Sequence, residues 1–200
     1  MANKKSFRIE HIDPLGQGVS KIGDKITFVP KTLPGEEGEC IVHKSKKKIE
    51  FARIENVDQI TQVSPSRTIA ECEHFNQCSG CHYQHTSYEE ELKFKRESLL
   101  WQLRPLQSQE KDDLSELISS HGSSVRLGYR NRIQLHYNKK LNKLGFIKGE
   151  DILEVPNCKV SHPLVTAKLQ ELYKDNTWIN LVKKQPNKGH IELYLQDSEV

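Results

Sequence analysis

Several things are missing from this chain of 200 residues, and each absence removes a class of protein. No apolar run approaches the roughly 20 residues that a membrane-spanning helix needs. The start, Met-Ala-Asn-Lys-Lys-Ser-Phe, lacks the hydrophobic stretch of a secretory signal. Together these lead to the expectation of a cytoplasmic protein with no membrane partner. Repeats and low-complexity tracts are absent, so solenoids and tethers drop out. A dinucleotide-type glycine turn is also lacking, because Gly16-Gln17-Gly18 has no third glycine. No large excess of one charge exists: 30 Lys and Arg stand against 27 Asp and Glu, a net charge of +3. That total is too small to name a nucleic-acid partner by itself, although positive charge gathers at Lys44, Lys46, Lys47 and Lys48 and again at Arg126, Arg130 and Arg132. An even cysteine count is missing as well. Five thiols in a reducing compartment argue against a disulfide framework.

What is present is a concentration of thiols. Cys72, Cys78 and Cys81 fall in the run Cys-Glu-His-Phe-Asn-Gln-Cys-Ser-Gly-Cys, and Cys158 follows much later in Val-Pro-Asn-Cys-Lys. Thiols at that density seldom serve core packing, and four soft donors suit an iron–sulfur cluster or a tetrahedral zinc. The wide first gap and the distant fourth thiol favour a cluster. Zinc stays open, since Cys78-Ser79-Gly80-Cys81 followed by His85 also reads as a C-x2-C-x3-H knuckle, with His74 and His82 nearby. Gly80 lets the backbone wrap close to an inorganic core, where its amide can donate to a sulfide. Cys40 is left over, a buried strand thiol without chemical consequence.

The chain organises into two parts. From Phe7 to Val63, short strands alternate with Gly and Pro punctuation: Phe7 to Ile12, Ile26 to Val29, Glu39 to His43 and Ile49 to Asn56. This is the pattern of a small β-barrel over residues 1–65. The lysines at 44 and 46–48 fall at an exposed hairpin tip, where they suit phosphate contact or merely discourage edge pairing. Ser64-Pro65-Ser66 reads as a linker, and a second domain spans residues 66–200. Ser87 to Glu90 forms a capping-box pattern that opens a helix ending before Pro105, with Tyr88, Leu92, Leu99 and Leu103 as its stripe. Within Gln107 to Ser124, Leu114, Leu117 and Ile118 suggest a short helix. Arg126 to Asn138 then alternates, with Ile133, Leu135 and Tyr137 on one face and Arg132, Gln134 and His136 on a polar face left available for binding. Leu144 to Lys148 and Ile152 to Val155 continue an antiparallel meander around Gly149-Glu150-Asp151. Its end lies beside Cys158, which could return the fourth thiol to the other three. Pro163 opens a helix to about Lys174, packed through Leu164, Leu169 and Leu172, and His190 to Gln196 is a last strand.

The order of these features resembles a known family. Gly16-Gln17-Gly18-Val19, Phe28-Val29-Pro30 and Leu33-Pro34-Gly35-Glu36 are similar to a TRAM domain, an OB-like RNA-binding barrel. Cys72-x5-Cys78-Ser79-Gly80-Cys81, Gln84-His85, and Leu92 and Lys95 along a helix resemble the cluster segment of RNA uracil-5 methyltransferases of the 23S rRNA type. Gly128-Tyr129-Arg130-Asn131-Arg132, Gly145-Phe146, Ile152 to Cys158 and Gly189 to Leu193 continue the likeness over nearly the whole chain. Ser79 stands where the family more often has glycine.

The resemblance implies a mainly β chain: an OB-like TRAM barrel followed by an iron–sulfur α+β central domain, with the catalytic Rossmann-like domain absent from these residues. It implies that Cys72, Cys78, Cys81 and Cys158 ligate a four-iron four-sulfur (4Fe-4S) cluster in a structural role, and that barrel and central domain together grip RNA. Lys46, Lys47, Lys48, Arg130 and Arg132, with His82 and Gln84 beside the cluster, are the candidate RNA contacts. In the family, a catalytic domain transfers methyl from S-adenosylmethionine to uracil C5, after a cysteine thiolate adds to C6 of the extruded base. No catalytic or S-adenosylmethionine-binding residue matches here, so the 200 residues should be inactive alone. The expected partner is RNA, ribosomal rather than transfer, and the expected state a monomer. A self-standing RNA-binding module with a structural iron–sulfur or zinc site is the alternative.

Overall fold

The computed structural model describes residues 3–106 and 114–196. Contacts divide the chain into two units, Met1–Ala70 with His82–Gly122, and Glu71–Cys81 with Ser123–Val200. The expected boundary at Ser64-Pro65-Ser66 differs from this division. The cysteine run groups with the later part of the chain, to which polar contacts tie it, and the helix after it groups with the barrel, where Phe94 packs on Ile12 and Leu33.

In the first unit, β1 (Asn3–Arg8), β2 (His11–Ile12), β3 (Gln17–Ile22), β4 (Lys25–Pro30), β5 (Glu37–Ser45), β6 (Ile49–Arg53) and β7 (Ile60–Gln62) form one sheet. Its order is β1-β5-β6-β4-β3-β2, with β7 paired to β5. All pairs are antiparallel except β4 with β6. The sheet curls on itself: Arg8 N–H donates to Ser20 Oγ and Glu10 N–H to the Val19 carbonyl, so the continuation of β1 lies against β3. Phe7, Ile9, Val29, Cys40, Val42, Ala52 and Ile60 fill the interior, as alternate positions of pleated strands must when one face is enclosed. A mainly β, OB-like unit is what the punctuation pattern led one to expect. Gly16 shows why glycine stands there: its φ is +78°, and a Cβ would come within 2.8 Å of His82 Cβ.

Helix α1 (Tyr88–Leu103) belongs to this unit, and the Ser87 side chain caps it by accepting from Glu90 N–H. Its buried face carries Phe94 and Ser98, while Leu99 of the expected stripe is 43 % exposed. Phe94 packs with Ile12 and Leu33 of the barrel and with Tyr83. Helix α2 (Leu114–Leu117) falls where Leu114, Leu117 and Ile118 suggest a short helix, and residues 107–113 of that stretch lie outside the described residues.

The second unit has a four-stranded antiparallel sheet ordered β10-β9-β8-β11, from β8 (Arg132–Asn138), β9 (Lys143–Lys148), β10 (Asp151–Leu153) and β11 (Lys188–Tyr194). Ile133, Leu135, Tyr137, Leu144 and Leu193 turn to one face. There α3 (Pro163–Tyr173) supplies Val165, Leu169 and Leu172, and α4 (Trp178–Leu181) supplies Trp178. Val165 takes the place expected for Leu164, which is 42 % exposed. Pro163 is the first helical residue, where its missing N–H leaves nothing unsatisfied. Among the described residues, no helix is long and apolar enough to cross a membrane.

Candidate functional site

The cysteine segment folds as a series of tight turns within the second unit. Phe75 N–H donates to the Cys72 carbonyl, Gln77 and Cys78 N–H both donate to the His74 carbonyl, and buried Phe75 anchors the loop. The sulfurs accept backbone hydrogen bonds: Gly80 N–H reaches Cys78 Sγ at 3.4 Å, and His74 N–H bonds the Cys72 sulfur. Such amide–sulfur bonds favour the thiolate, the form that binds metal.

Three contacts fix this loop on the rest of its unit. Ser79 Oγ donates to the Ile147 carbonyl at 3.2 Å, Lys148 Nζ to Gln77 Oε1 at 2.9 Å, and an Arg130 guanidinium nitrogen to the Gly80 carbonyl at 3.2 Å. The hydroxyl of Ser79 thus makes an anchoring bond that glycine would lack. Arg130 does more, because its backbone pairs with the segment that carries Cys158. Gly128 N–H donates to the Lys159 carbonyl, Arg130 N–H to the Val160 carbonyl, and His162 N–H to the Arg130 carbonyl. The Cys158 carbonyl accepts from Ser161 N–H at 3.2 Å and Thr166 Oγ1 at 3.3 Å. Tyr173 Oη donates to the Leu144 carbonyl at 2.6 Å and accepts from Val155 N–H at 3.2 Å, tying the chain before Cys158 to β9. The Gly-Tyr-Arg motif is therefore a clasp between the Cys72–Cys81 loop and the Cys158 segment. Nothing in the local sequence announces this role.

The four cysteines lie within electrostatic reach of one another. Burial pushes the Cys81 thiol up to about 11; Arg130 draws it down in part, and Cys158, Cys78 and Cys72 push it further up. Burial also raises the Cys72 thiol, and Cys158 and Cys78 add to that rise. Gathered thiolates repel unless positive charge is placed among them. Among the described residues, no three His, Cys, Asp or Glu side chains converge tightly enough to hold a single metal ion. One zinc with bonds of about 2.3 Å requires sulfurs about 3.8 Å apart. A cluster gives each thiolate its own iron and sets its four donors farther apart, at the corners of a larger tetrahedron.

Cys40 is fully buried in the barrel, donates to the Lys5 carbonyl, and has its thiol pushed up to about 11, chiefly by burial. That is the inert thiol expected.

The expected RNA contacts divide between the units. Lys46, Lys47 and Lys48 are exposed at the β5–β6 turn. His82 is exposed, whereas Gln84 is buried at 8 % in the stretch that stitches residues 64–68 to 83–87, where Thr68 N–H donates to the His85 carbonyl and Thr86 Oγ1 to the Ser66 carbonyl. Arg130 is half-buried in its clasp, and Arg132 is exposed but ion-paired with Glu192. The residues most open to an anion are thus the three lysines.

No family model matches the chain. Curated relatives do. The 23S rRNA (uracil(1939)-C(5))-methyltransferase RlmD of Vibrio parahaemolyticus is 29% identical over 97% of this chain and 43% of its own length. The enzyme of that name from Aliivibrio fischeri is 30% identical over 96% of this chain and 43% of its own length. The chain therefore spans less than half the length of the curated relatives it matches. Among solved structures, the Pyrococcus abyssi tRNA (uracil-54, C5)-methyltransferase, in complex with S-adenosyl-L-homocysteine, superposes with a TM-score of 0.55 at 24% identity, over 89% of this chain and 37% of that one. The fold is shared, and the named relatives are RNA uracil-C5 methyltransferases, the family that the cysteine and Gly-Tyr-Arg motifs resemble.

Proposed function

Taking this kinship with RNA uracil-C5 methyltransferases as the premise, we propose that the chain is the RNA-gripping, cluster-bearing portion of an S-adenosylmethionine-dependent enzyme of that kind. Its RNA is ribosomal rather than transfer, in keeping with the names of the curated relatives. Cys72, Cys78, Cys81 and Cys158 hold a 4Fe-4S cluster whose role is structural. The observation that carries this reading is the clasp: Arg130 bonds Gly80 beside Cys81 while its backbone holds the segment of Cys158. Holding the Cys158 segment against the Cys72–Cys81 loop in this way supports one shared site, where thiolates would repel one another unless a positively charged centre stood among them. When bound, the cluster supplies charge neutralisation and a covalent tie between the two segments.

The barrel acts as a TRAM-like RNA-binding unit through Lys46, Lys47 and Lys48, which meet phosphates and give affinity without sequence choice. Arg130 and Gln84 act by positioning, since one is engaged in the clasp and the other is buried. His82 and Arg132 are secondary contacts. Methyl transfer is not the work of these 200 residues: the one cysteine outside the cluster set, Cys40, is buried and held as a thiol, unfit to add to uracil C6.

RNA binding by anaerobically purified chain tests the proposal. Affinity should fall steeply with salt, and replacing the three tip lysines with alanine should flatten that slope by about 2 to 3, at roughly 0.7 to 0.9 per phosphate contact. Cys78→Ala should lose iron and RNA affinity together. A flat salt response, or a Cys78→Ala protein that keeps both iron and affinity, would overturn it.

A further inference from the structure

The polar face of β8 is absorbed neither by the cluster nor by the barrel. Strands β8 and β11 pair residue for residue, His136 with His190, Gln134 with Glu192 and Arg132 with Tyr194. Ile133, Leu135, Tyr137 and Leu193 point into the core. The alternate positions must therefore point outward. Most are open to solvent: Tyr194 is 52 % exposed, His190, Gln134 and Arg132 are exposed and His136 is half-buried, while Asn138 at the far end is buried. The His136 and His190 rings stand 6.3 Å apart and tilted by 54°, so they lie side by side without covering each other. Tyr194 follows four residues beyond His190 on the same face, about 13 Å along the strand.

One end of this ladder is bordered by lysines. Lys139 N–H donates to the Asn187 carbonyl at 2.8 Å, and its ammonium donates to the Val182 and Gln185 carbonyls at 3.3 and 2.6 Å. These bonds pin the two turns together and collect Lys140, Lys183, Lys184 and Lys188 along one border, all exposed. Among the described residues none of the four is ion-paired, and the single carboxylate on the outward positions of β8 and β11, Glu192, is paired with Arg132. Four uncompensated cations repel one another and are relieved by a polyanion. Rings beside cations on an open sheet suit a strand whose bases are unpaired, because each base offers a face to stack and each phosphate a charge to neutralise.

We infer that this sheet face is a landing surface for unpaired RNA, with His136, His190 and Tyr194 stacking bases and the lysine border taking phosphates. The inference rests on the reading above that the macromolecule bound is RNA, and it assigns contacts that the barrel lysines do not provide. A duplex, whose bases are stacked on each other, should bind this face poorly.

The test uses the anaerobically purified 200-residue chain, a short unstructured single-stranded RNA carrying a fluorophore, the same sequence annealed into duplex, and polyglutamate as a competitor. His190→Ala with Tyr194→Ala alters only exposed rings. It should weaken single-strand binding about tenfold per ring, or roughly 1.4 kcal/mol each, with an unchanged salt slope. Lys183→Ala with Lys184→Ala should instead lower the slope by about 1.4. His190→Phe should restore most of the binding lost in His190→Ala. If the unaltered chain binds RNA but the ring variant binds it equally well, this inference alone falls. Equal loss on duplex, or displacement by polyglutamate as effective as by RNA, also overturns it. If the unaltered chain binds no RNA, the functional reading itself fails.

Discussion

Arg67 and Glu36 form an ion pair inside the first unit, and removing one partner should be the most damaging single change available there. Glu36 has no solvent exposure and the Arg67 side chain only 10 %. The carboxylate accepts from Arg67 Nε and from a terminal guanidinium nitrogen at 2.7 Å, from Leu33 N–H at 2.9 Å and from Ser64 N–H at 3.3 Å. Arg67 also donates to the Lys31 carbonyl at 2.9 Å. Arg67→Met keeps much of the packing volume but strands a buried charge with only two donors, a change that costs about 3–5 kcal/mol. Glu36→Gln removes charge-assisted bonds, each worth about 1.5–3 kcal/mol, and leaves the largely buried Arg67 guanidinium without its counter-charge. The double variant should therefore lose at least about 1.5 kcal/mol less than the sum of the two singles. Hydrogen exchange of the barrel amides, read by mass spectrometry, reports this unit separately from the other. Additivity of the two substitutions within about 0.5 kcal/mol would refute the reasoning.

Two more predictions concern the same scaffold. Glu50 is buried, pairs with Lys5 at 2.7 Å and Lys25 at 3.2 Å, and is bonded by Ser45; the Lys5 bond above all holds its carboxyl below the usual range. A depressed folded-state value means that its stabilisation is fully present above the unfolded value of about 4.3 and is lost as pH falls through the folded one. The barrel should lose urea resistance below about pH 4.3, and Glu50→Gln should flatten that acid limb while lowering stability at neutral pH; an unchanged limb would contradict the assignment. Gly145→Ala places a Cβ 2.0 Å from the Leu153 carbonyl oxygen, which is backbone and cannot swing away. It should part β9 from β10, destabilise the second unit by more than about 3 kcal/mol and lower cluster retention, and a thermal midpoint equal to that of the unaltered chain would count against it.

Local chemistry was the legible part of the sequence. The Ser87 cap, the stop before Pro105, the Gly149 turn and Pro163 at a helix start depend on residues within one turn of each other, and each stands where the pattern puts it. Burial across elements was less legible. Leu99 and Leu164 read as core because they are large and apolar, yet Phe94, Ser98 and Val165 hold those faces. Ile12 and Leu33, remote in sequence, decide which side of α1 is covered. Residue type and spacing mark the four cysteines as a proposed donor set, but the clasp was not legible: Arg130 reads as an RNA contact, and nothing near it in sequence says that a carbonyl fifty residues earlier accepts its guanidinium. Glu36 likewise read as part of a turn motif, while its acceptor role depends on Ser64 and Arg67.

The central claim is that Cys72, Cys78, Cys81 and Cys158 share one inorganic centre. Iron and acid-labile sulfide analysis with a visible absorption spectrum, on chain purified without oxygen, tests it most directly. The account predicts about four irons and four sulfides per chain, as a 4Fe-4S cluster requires, with a broad thiolate-to-iron absorption that disappears in Cys158→Ala. One zinc per chain with no iron, or a full cluster retained in Cys158→Ala, would contradict it.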